Sequence, residues 1–358
     1  MTKKILFLIP DLEIGGAQRI LIFLSNILLK KKFKIKILYL KKKNRNTFKL
    51  EPKIKAKCLN LDKETNNFFE KIKHNLIRIR KIREELKDYK PSYVISFLTT
   101  VNIITIISSI NLKQKIIINE RNDLKKEIPF AWKFLRFILY RFSHKVVFNQ
   151  PDSNKILKKF VSTSKIYFIP NPYILRKKNS KVNREKIILF VGRLTYQKNV
   201  NLLIKSFYKS NAIKKGWKLI IIGRGSQLNL LKNKIKRLKI KNNIFFNGTS
   251  KQIEKWYEKS SIYIICSRYE GMPNTLIESM YYKLAIIGTK IPGVQYLIKN
   301  RKNGLLINSN DEKELTKNIN LLLDNKKLRN KLGLNAQKTI LKKGNPNLFQ
   351  NKWLKILK

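Results

Sequence analysis

The residues most suited to chemistry are two acids, Glu270 and Glu278, in the segment 267–278 with the sequence SRYEGMPNTLIE. The apolar run 262–266 before this segment predicts a buried strand, and a helix is expected to begin near Asn274. One acid then lies on the loop before the helix, and the other lies about one turn inside it. Carboxylates in these positions can accept hydrogen bonds from the hydroxyl groups of a sugar.

The start of this helix is itself a predicted anion site. Gly271 permits a turn, and Pro273 suits the first helical position because its missing N–H is not needed there. The backbone N–H groups of Asn274, Thr275 and Leu276 come at the positive end of the helix dipole. A diphosphate is a ligand that suits such a helix start. Taken singly, either acid could equally be a solvated residue on a capped helix.

The stretch 270–278 resembles the retaining glycosyltransferases of family 4, and the similarity extends over nearly the whole chain. Members of that family have the GT-B fold, in which two Rossmann-like, doubly wound lobes face a central cleft. The resemblance implies that Glu270 lies near the transferred sugar, with a catalytic role, and that Glu278 binds the ribose of the nucleotide. It also implies that the donor is bound by the residues between them, namely Gly271, Asn274, Thr275 and Leu276.

Basic residues follow a predicted strand at 187–191. Arg193 and Lys198 come after its carboxyl end, which is where open α/β sheets bind ligands. A guanidinium offers a planar fork and an ammonium a point charge, so the two could neutralise a leaving diphosphate. Basic residues are abundant in this chain, and the match to the family's Gly-Arg-Leu and Lys-Asn pattern is what distinguishes these two. The resemblance implies that both act in catalysis.

Three glycine-containing loops match places where the family contacts its donor. Gly15 and Gly16 precede a helix predicted at 20–30, and the matching loop of relatives lies beside the donor diphosphate and the acceptor. Gly223 begins a Gly-Arg-Gly turn that resembles the turn beside the nucleotide, and residues 247–249 match the region of the base. Considered alone, each loop is a common tight turn.

The chain departs from the family pattern in two places. Many relatives have a histidine in the first lobe near the donor sugar, whereas here Glu120 and Arg121 follow a strand predicted to end at Ile118. This element resembles a variant in bacterial transferases that add N-acetylhexosamines to lipid-linked oligosaccharides, so both residues are further site candidates. Gln295 stands where relatives usually have an acid, which leaves open a transferase relative that has lost activity.

Short apolar runs alternate with amphipathic stretches and predict two parallel, helix-covered sheets. Strands of the first are predicted at 4–9, 34–40, 93–97, 115–118, 146–148 and 166–169. Strands of the second are predicted at 187–191, 219–222, 244–246, 262–266 and 285–287. We therefore expect an acceptor-binding domain at 1–173, a nucleotide-sugar-binding domain at 174–345, and a helix at 346–358 that in relatives crosses back to the first lobe.

The formal net charge of +57 over 358 residues suggests at first a nucleic-acid partner. The basic residues are spread evenly over both halves of the chain, however, so no specific nucleic-acid partner is expected. A positive field of this size does favour an anionic membrane surface, at about 1 kcal/mol for each basic residue near the lipid.

A stretch of mixed aromatic and basic residues at 129–142 is a second indication of membrane contact. At about 100° per residue, one face of the predicted helix is expected to carry Lys133, Arg136, Phe137, Tyr140 and Arg141. Aromatic rings among basic residues suit a lipid headgroup boundary. A core helix with two ordinary exposed aromatics is an equally open interpretation.

No signal sequence is recognised, and no apolar stretch reaches the roughly 18 to 20 residues of a membrane span. A cytoplasmic protein, peripheral at the inner face of the cytoplasmic membrane, is expected. Cys58 and Cys266 have neither disulfide nor metal-binding spacing, and both are expected to be packing residues. The sequence has no Asp-x-Asp pair, so we expect no metal, and no cofactor besides the nucleotide-sugar co-substrate.

Together these features predict a retaining hexosyltransferase. It would move a hexose or N-acetylhexosamine from a nucleotide sugar, by resemblance UDP-linked, to a polyprenyl-linked or surface-glycan acceptor. Stabilisation of the charge on the leaving diphosphate is expected to accelerate the reaction. One alternative is a sugar-nucleotide epimerase of the same fold, which would need extra acid and base groups. Another is a basic nucleic-acid-binding protein, which leaves the stretch 270–278 unexplained.

Overall fold

A computed structural model describes residues 3–41, 48–61, 67–125, 128–174, 184–250 and 252–358. The chain divides into two compact units, the first comprising Met1–Asn171 with Asn347–Lys358 and the second comprising Pro172–Pro346. Each unit contains one parallel sheet and several helices. No helix in the described part of the chain combines the length and apolar character that crossing a lipid bilayer requires.

The first unit is built on a seven-stranded sheet. Its strands are β1 (Lys4–Ile9), β2 (Lys34–Tyr39), β3 (Lys55–Cys58), β4 (Tyr93–Phe97), β5 (Lys115–Glu120), β6 (Lys145–Phe148) and β7 (Ile166–Phe168). Its helices are α1 (Gly16–Lys30), α2 (Phe68–Tyr89), α3 (Thr99–Ser108), α4 (Phe130–Leu139) and α5 (Ser153–Leu157). The strand order is β3-β2-β1-β4-β5-β6-β7. The central strands are largely apolar because helices cover both faces of such a sheet, and the exceptions are buried polar residues toward the strand ends, such as Ser96, Asn119 and Glu120.

The second unit is built on a six-stranded sheet. Its strands are β8 (Ile187–Val191), β9 (Lys218–Ile222), β10 (Ile244–Phe246), β11 (Ile262–Ile265), β12 (Ala285–Thr289) and β13 (Leu305–Ile307). Its helices are α6 (Val200–Lys209), α7 (Leu228–Arg237), α8 (Ile253–Lys259), α9 (Asn274–Tyr281), α10 (Pro292–Leu297), α11 (Glu312–Asp324) and α12 (Lys326–Lys343). The last helix of the chain is α13 (Pro346–Ile356). The strand order is β10-β9-β8-β11-β12-β13.

Each sheet has one position where the strand order changes direction. In the first sheet this position lies between β1 and β4, and in the second it lies between β8 and β11. The connections that leave the two strands at this position run in opposite directions. A crevice therefore opens beyond the carboxyl ends of these strands. The loops that leave β8 and β11 are therefore the places to examine for a ligand site.

The C-terminal helix α13 belongs to the first unit. The ring of Phe349 packs 5.8 Å from that of Phe23, and Trp353 is fully buried. Just after the helix, the backbone carbonyl of Leu357 accepts a hydrogen bond of 2.9 Å from the hydroxyl of Tyr93 in β4. The core of the first unit is therefore built from two separated parts of the chain.

Two strands have no counterpart in the apolar pattern of the sequence. The edge strand β3 is mostly exposed and carries lysines, as edge strands commonly do, so it shows no apolar run. The other, β13, has only three residues. Cys58 ends β3 and is partly buried, and Cys266 is fully buried, as expected of a packing residue.

Several predicted boundaries also need correction. β5 continues through Glu120 instead of ending at Ile118, because the buried polar residues at its end still pair with β4 and β6. α1 begins at Gly16, which the apolar pattern placed outside the helix. Pro273 has extended backbone angles, with φ −74° and ψ 116°, and precedes α9 instead of forming its first residue.

The face predicted for the helix at 129–142 is divided in the structure. Arg136 and Tyr140 are 5% and 0% exposed, and Tyr140 lies in a short 3-10 turn after α4 that breaks the helical period. The exposed aromatic residues are instead Phe130, Phe134, Phe137 and Phe142.

Candidate active site

The loops after β8 and β11 join a cation to an anion. Lys198 Nζ forms an ion pair with Glu270 Oε1, and Ser267 Oγ donates to the same carboxylate oxygen at 2.7 Å. The two charged side chains are only 13% and 10% exposed. A charge removed from water is stable only when it is paired, so each member of this pair makes burial of the other possible. The interpretation of Glu270 as a solvated acid was therefore wrong.

Backbone atoms form much of the surface beside this pair. Gly223, after β9, has φ 151°, and a Cβ added to it would overlap the carbonyl oxygen of Gly192 after β8. Its N–H donates to the carbonyl of Gly248 after β10 at 2.6 Å. Only glycine fits at this position. The ends of β8, β9 and β10 therefore meet through main-chain contacts. Gly223 has no side chain that would keep a ligand from the backbone there.

The start of α9 lies on the same side of the sheet, since it follows the loop after β11. The side chain of Leu276 is fully buried. The hydroxyl of Thr275 accepts a hydrogen bond of 2.7 Å from Tyr263 of β11, which fixes the first turn of α9 to the sheet. Gly271 lies in a bend, and its carbonyl oxygen would overlap a Cβ added to Gly293. The loop 267–273 is thus held by contacts on both sides.

Glu278 lies in the second turn of α9 and is 3% exposed, so it is not a solvated acid. Its Oε2 accepts a hydrogen bond of 2.8 Å from the hydroxyl of Tyr257 in α8. The ring of Tyr257 stacks on that of Tyr282, with centroids 5.6 Å apart and planes 12° apart. The carboxylate of Glu278 is therefore held in a fixed direction by a rigid aromatic pair.

An open cavity of about 490 Å³ lies beside α8, and its lining residues are Asn247, Thr249, Ser250, Gln252 and Trp256. Trp256 and Tyr257 are neighbours in α8, so this helix contributes both to the cavity and to the hydrogen bond at Glu278. Neither aromatic residue is among the site residues predicted from the sequence. A pair of adjacent aromatic residues shortly after the predicted base region was the available signal.

Two further candidates lie at the surface of the second unit. Arg193 is exposed, and its side chain makes no hydrogen bond or ion pair within the described part of the chain. Gln295, in α10, is also exposed. Arg193 is thus an exposed cation just beyond the carboxyl end of β8, in contrast to the buried, paired cation of Lys198.

In the first unit, Gly15 and Gly16 lie at the start of α1, beyond the end of β1. Gly15 precedes the helix in extended conformation, and a Cβ there would collide with the side-chain oxygen of Gln18. The Gln18 amide donates to Asp11 Oδ1 at 2.7 Å. The two glycines therefore lie at the switch point of this sheet, with the Gln18 side chain packed against Gly15.

Glu120 is 1% exposed at the end of β5 and takes part in a buried hydrogen-bond network. Its Oε1 accepts hydrogen bonds from the hydroxyl of Tyr140 and, at 3.4 Å, from Asn102 Nδ2, while Oε2 accepts one of 3.2 Å from Thr99. Burial raises the pKa of Glu120 and also that of Tyr140. The network accounts for why β5 remains ordered to its last residue.

Arg121 comes directly after Glu120, and its side chain has different contacts. It is 7% exposed, its Nη1 donates to Asn171 Oδ1 at 2.6 Å, and its guanidinium carbon lies 5.8 Å from the ring centroid of Phe97. The adjacent side chains of Glu120 and Arg121 therefore lie in two separate environments. Within the described ranges, no group of three or more His, Cys, Asp or Glu residues could hold a metal ion.

Comparison with known proteins gives this geometry a context. A model of the family described as Glycosyl transferases group 1 matches residues 174–339. HepE from Anabaena in complex with UDP has a TM-score of 0.80 at 16% identity, with 99% of each chain covered. Sucrose-phosphate synthase from Thermosynechococcus elongatus has a TM-score of 0.84 at 14% identity, covering 99% of this chain and 98% of the other. The two doubly wound domains have the GT-B architecture that the sequence predicts.

Relatives in sequence are bacterial glycosyltransferases. AmsD of Erwinia amylovora, an amylovoran biosynthesis glycosyltransferase, is 31% identical over 236 residues, which cover 63% of this chain and 66% of AmsD. In Campylobacter jejuni, an alpha-1,4-N-acetyl-D-galactosaminyltransferase named for GalNAc-alpha-(1->4)-GalNAc-alpha-(1->3)-diNAcBac-PP-undecaprenol is 30% identical over 357 residues. That match covers 99% of this chain and 98% of the relative. Similarity along almost the whole of both proteins establishes the family, and the chain belongs to the group 1 glycosyltransferases.

Proposed function

We propose that this glycosyltransferase is a retaining enzyme that transfers a hexose or N-acetylhexosamine from a UDP-sugar to a lipid-linked or surface-glycan acceptor. The observation that carries the proposal is the grouping of Lys198, Glu270 and the start of α9 beyond the carboxyl ends of β8 and β11. It combines a cation, an acid and a helix start at the topological switch point of the second sheet.

In the proposed complex, the donor extends along the strand ends of the second unit. The base occupies the cavity beside Trp256, whose ring offers a surface for stacking. The ribose hydroxyls donate to Glu278, which Tyr257 holds in position. The diphosphate lies at the start of α9, near the main chain at Gly223, and the transferred sugar lies toward Glu270.

The chemical step needs a counter-charge for the leaving group. As the bond between the sugar and the diphosphate breaks, negative charge grows on the phosphate oxygens, and groups that bind this charge lower the barrier. Lys198, Arg193 and the backbone N–H groups at the start of α9 supply it in the proposed mechanism. Glu270 keeps the Lys198 ammonium in place and faces the sugar. The mechanism uses no cofactor besides the donor and no metal ion.

The comparisons support the choice of substrates. The neighbour HepE holds UDP, which supports a UDP-linked donor. The Campylobacter jejuni relative is named for an N-acetylgalactosamine transfer that forms an alpha linkage on an undecaprenol-linked glycan. Its similarity along the whole chain supports an N-acetylhexosamine donor, a polyprenyl-linked acceptor and retention at the anomeric carbon.

We further propose that α4 and the turn after it hold the enzyme on an anionic membrane. Phe130, Phe134 and Phe142 are 80%, 53% and 67% exposed, and Phe137 is 47% exposed. Lys133 is exposed beside them, and the formal charge of the chain is +57. Exposed aromatic rings on a basic helix suit a headgroup region of opposite charge. This surface would bring the active site to a lipid-linked acceptor at the cytoplasmic face.

Donor binding is tested by thermal unfolding with a panel of nucleotide sugars. A ligand that binds only the folded state raises the melting temperature by mass action, so we expect a rise with one UDP-sugar and with UDP. The variant Glu278→Ala should lose that rise, while Glu185→Gln, which changes an exposed acid of the same unit, should keep it. Equal shifts in both variants would remove Glu278 from the site, and NMR of the product anomer tests retention.

Membrane binding is tested by sedimentation with vesicles of mixed phosphatidylcholine and phosphatidylglycerol. The double variant Phe134→Ser with Phe137→Ser should release the protein, since both side chains are exposed and their loss costs little stability. The matched control is Leu334→Ser, an exposed apolar residue of α12, which should bind as wild type does. Unchanged binding of the double variant would rule out α4 as the contact.

A further inference from the structure

Arg121, in the first unit, is a buried cation with an incomplete set of partners. One nitrogen, Nη1, donates to Asn171, whereas Nε and Nη2 have no hydrogen-bond partner among the residues that the structure describes. Burial without a neighbouring carboxylate lowers the pKa of Arg121. The neighbouring acid Glu120 is engaged elsewhere, with Tyr140, Asn102 and Thr99. Among the residues that the structure describes, no carboxylate therefore compensates the charge of Arg121.

The two unused nitrogens lie on the same edge of the guanidinium plane. Their N–H bonds are nearly parallel, so together they can donate to two oxygens of one anion. Carboxylates and phosphoryl groups accept such a pair of bonds, and the match in geometry adds to the attraction of charge. The contact with Asn171 and the position over the ring of Phe97 fix the plane of the guanidinium in advance.

Buried amide side chains with unused atoms lie at the neighbouring strand ends. Asn149 donates to the same Asn171 oxygen at 3.2 Å, so it lies next to the guanidinium, and its own Oδ1 has no partner in the described part of the chain. The same is true of both polar atoms of Asn119 and of Gln150 Nε2. These residues are at most 3% exposed and lie at the carboxyl ends of β5, β6 and β7. Folded proteins rarely bury so many unpaired polar atoms together without a ligand or water.

We propose that Arg121 and the four amides around it, here called the Arg121 pocket, bind a phosphoryl group of the acceptor substrate. The inference rests on the proposed function, in which the acceptor is a polyprenyl-linked glycan and therefore carries a diphosphate. The donor diphosphate has its own counter-charges in the second unit, at Lys198, Arg193 and the start of α9. A second diphosphate in the same reaction requires a second cationic site, and the Arg121 pocket supplies one.

The pocket is tested by calorimetric titration of the full-length protein with inorganic pyrophosphate in the presence of saturating UDP. UDP occupies the donor site, so the remaining binding reports a second site. We expect one further pyrophosphate per chain, with binding weakened by about tenfold or more in Arg121→Gln, since a charged bidentate contact is lost. Arg121→Lys keeps the charge without the fork and should be intermediate. Arg80→Gln, at an exposed arginine of the same unit, should bind as wild type does.

A second variant distinguishes loss of pyrophosphate binding from loss of folding, which Arg121→Gln alone would not do. Asn149→Asp places a carboxylate beside the guanidinium, so it should leave the melting temperature unchanged or higher and abolish pyrophosphate binding. Absence of the second binding event in wild type, or equal binding in Asn149→Asp, would overturn the proposal. Because UDP binding is measured first in each sample, failure of the donor site is seen separately from failure of the Arg121 pocket.

Steady-state kinetics distinguish the two substrates as sources of the phosphoryl group. With a short-chain prenyl-diphosphate glycan as acceptor, Arg121→Lys should raise the acceptor KM by about tenfold and leave the KM for the UDP-sugar unchanged. A raised KM for the UDP-sugar alone would assign the pocket to the donor diphosphate and reject the acceptor as its source. A fall in kcat with both KM values unchanged would contradict a binding role for either substrate.

Discussion

The two units each bury charge at the ends of parallel strands, but they balance that charge differently. In the second unit, Lys198 and Glu270 neutralise each other across the switch point. In the first unit, Asn171, which is neutral, is the one hydrogen-bond partner of the Arg121 side chain among the described residues, although Glu120 lies next to Arg121 in the sequence. The difference indicates two kinds of site: one whose charges are already arranged, and one whose charge is complete only when a ligand brings its counterpart.

The largest effect is expected from breaking the balanced pair. Lys198→Met leaves Glu270 buried without a cation, so the free energy of unfolding should fall by about 3 kcal/mol. The rate should fall by about a hundredfold or more, because a counter-charge of the leaving group is lost. The double variant Lys198→Met with Glu270→Gln should regain most of the stability and none of the rate. Urea unfolding measures the stability, and initial rates of sugar transfer measure the activity. Unchanged stability of Lys198→Met would mean that the burial of Glu270 does not depend on Lys198.

A smaller loss of stability is expected where the second site is built from main chain. Gly223→Ala forces a Cβ onto the Gly192 carbonyl at a φ of 151°, so we expect a loss of about 2 kcal/mol together with weaker UDP binding. Gly216→Ala is the matched control. Gly216 has a φ of 69° and nothing within 4 Å of an added Cβ, so only about 1 kcal/mol of backbone strain applies. Equal losses in thermal unfolding would show that the close approach at Gly223 is unimportant.

The first unit allows a subtler test through Glu120. Burial raises the pKa of this acid above its unfolded value, so its contribution to stability is present at low pH and is lost as the pH rises through the folded pKa. Glu120→Gln cannot ionise and can still accept from Tyr140. We expect it to melt roughly 2 °C higher than wild type at about pH 8, with the gap closing toward about pH 4. A gap that grows at low pH would show that the carboxylate is stabilised in its charged form.

The smallest expected effect is none at all. If protein groups provide the counter-charge for the leaving diphosphate, EDTA should leave the initial rate of sugar transfer unchanged. Lys198 and the start of α9 are the groups that make a metal unnecessary in this mechanism. A rate that falls with EDTA and returns with Mg²⁺ would transfer that role to a metal ion, and the comparison between the two sites would have to be redrawn.

Much of the fold follows from the apolar pattern, because strands buried on both faces must be apolar throughout. Most predicted strands appear in the structure within two residues of their predicted ends, while β3 does not show in the pattern because it is exposed and carries lysines. β13 is a buried apolar run of three residues, the same length as β7 and β10, and it was not predicted. The turn at Tyr140 shows a second limit. A helical projection assumes a constant period, and the 3-10 turn changes it, so the residue predicted for the membrane face is buried against Glu120.

The candidate site also has parts that the sequence predicts and parts that it does not. The segment around Glu270 and Glu278 is contiguous, so its types and spacing can be recognised in the sequence. The ion pair of Glu270 with Lys198, and the hydrogen bond of Glu278 with Tyr257, join distant parts of the chain. Such partners follow from which strands are neighbours in the sheet, and that order is set by tertiary packing and not by local sequence.

The position of α13 in the first unit has a consequence for biosynthesis. Domains near the N-terminus commonly fold while the remainder of the chain is still being translated. Here the hydrogen bond to Tyr93 and the burial of Trp353 come from residues 347–358, which are translated after the entire second unit. The first unit therefore leaves the ribosome with part of its apolar surface uncovered, and we expect chaperones to bind the nascent chain at that surface.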